Sequence, residues 1–198
     1  QEMTHTIQAV LASLEAYAEE HSVPIIRKSE RKALIEAARK ASPARILEVG
    51  TAIGYSSLLL LHEFSEVHID TIEVDEQRYR IAEEAVEKAG VSHRWHGHLG
   101  DAAKVIPTLE GPYDFVFLDG PKGQYLRELK MLEPLLTAHA VIAADNVLFR
   151  GLVMAEGQVP HRYRTLVMRL RDYIRYVNSA YDTIIDEEGD GLAVSVKR

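Results

Sequence analysis

Apolar residues recur at helical spacing from about Thr4 to Glu20 (Ile7, Val10, Leu11, Leu14, Tyr17, Ala18), which predicts a first helix. Pro24 disfavours helix in the residue before it, so Val23-Pro24-Ile25-Ile26 reads as an extended link. Ser29 to Ala41 predicts a second helix, stopped by Ser42-Pro43, and residues 1–43 therefore read as an N-terminal helical extension. Beyond them short apolar runs alternate with helical patterns. Strands are expected at Arg45–Val49, His68–Glu73, Arg94–Leu99, Tyr113–Leu118 and Ala138–Ala144. Helices are expected at Gly54–Phe64, Glu76–Ala89, near Ala102–Ile106, at Gln124–Leu136 and from about His161 to Val177. Tyr181–Asp186 and Leu192–Val196, around Glu188-Gly189-Asp190-Gly191, read as a closing hairpin.

Five strand–helix units imply an α/β fold with a doubly wound, mostly parallel sheet. A hairpin cannot join parallel strands, so one strand of the last pair must run antiparallel, giving seven strands in all. No repeat, linker or low-complexity segment divides the chain, and residues 1–198 are expected to form one domain.

The stretch Ile46-Leu47-Glu48-Val49-Gly50-Thr51-Ala52-Ile53-Gly54-Tyr55-Ser56-Ser57 organises this pattern. A buried strand breaks at Gly50, turns through Gly54 and enters a helix, leaving backbone N–H groups free to face a small ligand. Its spacing is E-x-G-x-x-x-G, not the three-glycine turn that cradles a pyrophosphate. This disfavours a nicotinamide-dependent dehydrogenase and suits a cationic ligand without phosphates.

Ligands of an open parallel sheet lie beyond the C-terminal strand ends, and polar residues collect there. Gly50, Tyr55 and Ser56 follow the first strand, and Glu73 ends the second at the usual distance for a carboxylate that binds ribose hydroxyls. Asp101 and Ala102 follow the third, placed to border an adenine ring. Asp119 ends the fourth, with Lys122 three residues on, and Asp145-Asn146 ends the fifth. Two carboxylates and an amide are hard oxygen donors, suited to Mg²⁺, Mn²⁺ or Ca²⁺. Acidic residues at strand ends also cap helices, so each position alone has a structural reading too.

Composition narrows the picture further. Without cysteine, disulfides and thiolate metal sites are excluded. The nine histidines, His93, His96 and His98 among them, show no ligand spacing and read as surface or packing residues. No apolar run approaches the length of a membrane span and residues 1–8 hold no signal-peptide core, so a cytoplasmic location is expected. The net charge of −7 argues against nucleic acid, yet cations cluster in two segments. Arg27, Lys28, Arg31, Lys32, Arg39, Lys40 and Arg45 form one; Arg150, Arg162, Arg164, Arg169, Arg171 and Arg175 form the other. They read either as a polyanion-binding face or as solvated helix faces with ion pairs.

The glycine turn, Glu73, Leu118-Asp119-x-x-Lys122 and Asp145-Asn146 together resemble the metal- and S-adenosylmethionine-dependent O-methyltransferases, the family of catechol and caffeoyl-CoA O-methyltransferases. The resemblance runs from about Pro24 to Lys197 and implies a Rossmann-like class I methyltransferase fold. Within the family, Gly50–Ser56, Lys122-Gly123-Gln124-Tyr125, Asp145–Leu152 and Gly189–Ser195 look closer to the bacterial tRNA 5-hydroxyuridine methyltransferases. The family pattern would place Asp119, Asp145 and Asn146 on the metal, and Ile26, Ser56, Glu73, Asp101 and Asp119 around the cofactor. It also implies a homodimer. Gly120-Pro121 departs from the Ala-Ala or His-Trp of many relatives and leaves the pocket shape beside Lys122 open.

The implied reaction moves a methyl group from S-adenosylmethionine to an acidic hydroxyl with an oxygen on the adjacent carbon. Lys122 is the candidate proton acceptor, because a divalent cation nearby favours a neutral amine. The 5-hydroxyl of 5-hydroxyuridine in tRNA satisfies this geometry and is expected from the closer resemblance and the basic segments. A small catechol-like or caffeoyl-CoA-type acceptor is the alternative. A non-catalytic binding module is disfavoured by the intact Asp119, Lys122, Asp145 and Asn146.

Overall fold

In the computed structural model, which describes residues 6–198, every expected element forms. Helix α1 (Ile7–His21) starts at Thr6, whose hydroxyl accepts from the Ala9 N–H at 3.2 Å. The expected start at Thr4, with His5, lies outside the described residues. Helix α2 (Lys28–Ala41) follows the extended link. Then come β1 (Arg45–Val49), α3 (Tyr55–Glu63), β2 (His68–Glu73), α4 (Glu76–Lys88), β3 (Trp95–Leu99), α5 (Ala102–Val105) and β4 (Tyr113–Leu118). Helix α6 (Tyr125–Leu132), β5 (Leu136–Asp145), α7 (Arg164–Ala180), β6 (Tyr181–Asp186) and β7 (Leu192–Lys197) complete the chain.

The largest boundary differences from the sequence reading fall at α6, β5 and α7. Helix α6 stops at Leu132, not Leu136, because Pro134 turns Glu133–Leu135 into a 3₁₀ turn. That frees Leu136 to open β5 two residues earlier than expected, and the strand carries through to Asp145. Helix α7 likewise begins and ends three residues later than expected, after a 3₁₀ turn at His161–Tyr163.

The strand order is β3-β2-β1-β4-β5-β7-β6. Strands β1 to β5 pair in parallel, and β7 runs antiparallel between β5 and the edge strand β6. Winding reverses between β1 and β4, the point where such sheets open a crevice at their C-terminal ends. Alternate residues of each strand feed two apolar layers. Ile46, Phe115, Phe117, Val141 and Ala143 pack with the core residues of α1 to α4. Leu47, Val49, Val116, Leu118 and Ile142 pack with those of α6 and α7.

Glu48, fully buried on β1, binds three hydroxyls: Ser56 Oγ at 2.5 Å, Ser57 Oγ at 2.5 Å and Thr71 Oγ1 at 2.7 Å. These bonds tie the start of α3 and strand β2 to β1 and hold the glycine turn from below. Burial pushes the Glu48 carboxyl up to about 7 against the pull of those hydroxyls.

Candidate active site

The crevice at the β1/β4 switch is a cleft of about 620 Å³. One wall carries Gly50 and Ala52 from the turn, and Glu73 and Val74 from the end of β2. Asp101 and Ala102 lie beyond β3, and Asp119-Gly120-Pro121, Gln124, Arg127 and Glu128 close the opposite side. Gly50 has φ +98°, and a Cβ there would sit 2.5 Å from the Asp119 carbonyl oxygen. Only glycine lets the β1 and β4 ends approach this closely.

Glu73 is buried and already fixed. Its Oε1 accepts from the Ala52 N–H at 2.8 Å and its Oε2 from the Asp75 N–H at 2.9 Å. The carboxylate therefore orders the glycine turn while facing the cleft. Asp101 also serves twice, lining the cleft and accepting from the Ala103 N–H at 3.0 Å as the cap of α5.

Five residues expected around the cofactor thus meet at the cleft: Gly50, Glu73, Asp101, Ala102 and Asp119. Three are turned elsewhere. The Tyr55 hydroxyl donates to Glu15 Oε1 at 2.7 Å and its ring lies under Arg31. The Ser56 hydroxyl is spent on Glu48, and Ile26 is buried in the apolar layer beneath α1 and α2. Periodicity could not place them, because a helix N-terminus presents backbone N–H groups to a ligand while its side chains fan outward.

Arg78, Gln124, Arg127 and Glu128 line the cleft although the strand-end rule did not select them. Glu128 is the most unusual. It is 3% exposed and its Oε1 has no hydrogen-bond partner. Burial, then the charge of Asp101, pushes its carboxyl up to about 8, opposed by Arg127 and Lys122. The sequence signal was an acid on the inner face of an amphipathic helix, in register with Tyr125, Leu129 and Leu132.

Lys122, Asp119, Asp145 and Asn146 occupy the ends of β4 and β5. Lys122 Nζ donates to Asp119 Oδ1 at 3.1 Å. Burial pushes the Asp119 carboxyl above the usual carboxylate range, opposed by Lys122. Asp145 is pushed up to about 7 by burial and then by the charges of Asp119 and Glu30. A buried carboxylate on Asp145 and a partly buried one on Asp119, both held toward the protonated form by desolvation, make a suitable seat for a cation. Asn146, at φ +59°, donates from Nδ2 to Asp190 Oδ2 at 3.4 Å, which leaves its amide oxygen available as a donor atom. Among the described residues no three His, Cys, Asp or Glu side chains gather as a metal-binding group.

The hairpin tip holds this corner. Asp190 Oδ1 accepts from the Arg150 N–H at 2.5 Å, and the Asp190 carbonyl accepts from Leu148 N–H at 3.0 Å. A Cβ on Gly191, at φ +87°, would lie 2.5 Å from Leu148 Cγ, so the loop after β5 seats directly on glycine. A second pocket of about 460 Å³ opens here, lined by Arg27, Lys122, Asn146, Phe149, Arg150, Gly189 and Asp190.

The histidines stand apart. His68 and His96 bring ring nitrogens within 3.1 Å, and His98 bonds Asp70 at 3.0 Å, on β2 and β3 outside the cleft lining. Many cations of the two basic segments are engaged internally: Arg31 with Glu15, Lys32 with Glu36, Arg39 with Glu63, Arg45 with Asp70 and Arg175 with Asp172. Arg171 holds the carbonyls of Leu152, Val153 and Ala155. No helix among the described residues is long and apolar enough to cross a membrane.

A seven-stranded sheet of this order, with a glycine turn and a ribose-range carboxylate at its switch point, defines the class I methyltransferase fold. A solved caffeoyl-CoA O-methyltransferase candidate from Staphylococcus aureus superposes with a TM-score of 0.87 at 28% identity, covering 95% of this chain and 92% of that one. A Podospora anserina methyltransferase solved with SAH bound gives 0.84 at 25% identity, covering 98% and 90%. The chain belongs to the S-adenosylmethionine-dependent O-methyltransferase family, whose O-methyltransferase model matches residues 7–197. Caffeoyl-CoA O-methyltransferase 2 of Petunia hybrida is 31% identical over 141 residues, which cover 68% of this chain and 57% of that protein. The chain thus matches little more than half the length of that relative.

Proposed function

We propose that this protein transfers the methyl group of S-adenosylmethionine to a hydroxyl flanked by a second oxygen on the neighbouring carbon. One observation carries the reading: the Lys122–Asp119 bond joins the two cavities. Asp119 lines the large cleft, whereas Lys122 and Asn146 line the smaller pocket. A donor in the first and an acceptor in the second would meet at that bond.

The cofactor supplies an electrophilic methyl on a sulfonium. Glu73 is poised to accept hydrogen bonds from ribose hydroxyls, and the exposed Val74 offers an apolar rim for a flat ring. A divalent metal, Mg²⁺ first and Mn²⁺ or Ca²⁺ after it, would be held by Asp119, Asp145 and Asn146 and would supply Lewis acidity toward the two acceptor oxygens. Lys122 takes the hydroxyl proton as the oxygen–methyl bond forms and the sulfur–methyl bond breaks. S-adenosylhomocysteine and the methyl ether are the products.

The acceptor class we favour is the small catechol-like or caffeoyl-CoA-type one. The relative from petunia bears that name, and carboxylates already pair Arg31, Lys32, Arg39, Arg45 and Arg175, five of the thirteen cations in the two basic segments. A tRNA 5-hydroxyuridine acceptor is the second reading. It is favoured by Arg127, Lys130 and Arg169, which border a groove of about 690 Å³ beside the Lys122 loop. The test supplies labelled S-adenosylmethionine with catechol, caffeoyl-CoA or hydroxyuridine-containing tRNA, with Mg²⁺ or with EDTA. Label in catechol or caffeoyl-CoA, lost in EDTA, is expected. Label in tRNA alone would reverse the ranking, and none in any acceptor would end the reading.

A further inference from the structure

The acceptor pocket carries more positive charge than methyl transfer to a neutral diol requires. Of its three cations, Lys122 is bonded to Asp119. Arg27, at the start of α2, and Arg150, in the loop after β5, make no salt bridge among the described residues. Six of the fifteen arginines have a carboxylate partner, so what sets Arg27 and Arg150 apart is their place: both line the pocket that Lys122 and Asn146 also line.

Arg150 is also held in place. Its backbone, at φ +55°, is fixed by the Asp190 bond, its guanidinium packs on the Phe149 ring at 5.5 Å and the Tyr163 ring at 6.0 Å, and Nη1 donates to the Tyr163 hydroxyl at 3.4 Å. The lone pocket carboxylate, Asp190, already accepts from the Arg150 N–H and from Asn146 Nδ2.

We propose that the methyl acceptor is a small anion whose carboxylate or phosphate is gripped by Arg27 and Arg150 while its paired oxygens face Lys122 and Asn146. The proposal rests on the methyl-transfer reading and names its substrate class. Guanidinium forks pair with both anions, and a pocket of about 460 Å³ suits a single-ring acceptor.

Two matched pairs of probes test it on the full chain with Mg²⁺ and S-adenosylhomocysteine present. Calorimetry compares 3,4-dihydroxybenzoate with catechol, and 5-hydroxyuridine 5′-monophosphate with 5-hydroxyuridine. The charged member of one pair is expected to bind on the order of 10- to 100-fold tighter, the worth of a hydrogen bond to a charged group, and which pair shows it tells carboxylate from phosphate. Arg27→Gln and Arg150→Gln should each reduce that preference and the double variant should abolish it. Retained affinity for S-adenosylhomocysteine shows that the variants fold. Equal binding within both pairs, or a preference that survives the double variant, overturns the proposal. Methylation is measured separately. Anion preference with no methylation of any probe would sink the reaction and leave the anion site standing, while methylation without preference does the reverse.

Discussion

Lys122 Nζ and Asp119 Oδ1 lie 3.1 Å apart on the loop after β4, so the candidate base is tethered by a candidate metal ligand. A cation drawing on Asp119 would weaken that tether and turn the amine toward the acceptor. The Lys122 charge opposes the upward shift of both Asp119 and Asp145, so base and metal seat are electrostatically coupled.

Replacing Lys122 by Ala is therefore expected to lower kcat roughly 10²–10⁴-fold, the usual worth of a positioned general base. Arg should not rescue, because a guanidinium stays protonated. Apparent metal affinity should not fall, since the ammonium that competes for Asp119 is gone. Near-normal turnover with Arg would reassign Lys122 as a fixed charge that orients the acceptor.

Metal binding is expected to release protons. Asp145 titrates at about 7 in the free protein, and a ligand must be deprotonated, so affinity should climb as pH rises toward 7 and level off above it. Calorimetry in buffers of different ionisation enthalpy counts the protons. Asp145→Ala should abolish metal-stimulated methylation. Affinity that is flat from pH 5.5 to 7.5 would remove Asp145 from the coordination sphere.

For Glu73→Ala, cofactor binding is expected to weaken by about 1.5–3 kcal/mol, the worth of hydrogen bonds to a charged group. The bond from the Ala52 N–H is lost as well, so the glycine turn should loosen and exchange its amide hydrogens faster. Unchanged affinity for S-adenosylhomocysteine would take Glu73 out of the ribose site.

Glu128 makes a prediction about stability. Its folded pKa, about 8, lies above the unfolded value near 4.5. Below 4.5 both states are protonated and the carboxyl adds no pH-dependent cost. As pH rises from 4.5 to 8 the unfolded chain releases its proton first, so folding loses stability across that window. Glu128→Gln should flatten this decline by roughly 1–3 kcal/mol between pH 5 and 8, read by urea unfolding at several pH values. Parallel curves for wild type and variant would show that the carboxyl is ionised in the folded protein.

What the sequence determined by itself was the local grammar. Strand and helix periods, Pro24, Pro43 and the Gly50–Gly54 turn act within a few residues, through sterics that no distant contact overrides. Strand-end placement follows from the same rules, and it brought Glu73, Asp101, Asp119, Asp145 and Asn146 to one edge. Only the tertiary structure decided partners. Ser56 turned to Glu48 and Tyr55 to Glu15, Arg39 found Glu63, and the hairpin tip at Asp190 came to hold Asn146 and Arg150 from 44 and 40 residues away. Glu128 became a cleft residue because α6 packs its inner face toward the end of β4. A buried polar group takes whichever partner satisfies it once the layers have closed, and that choice is made by packing across the whole chain rather than by its neighbours in sequence.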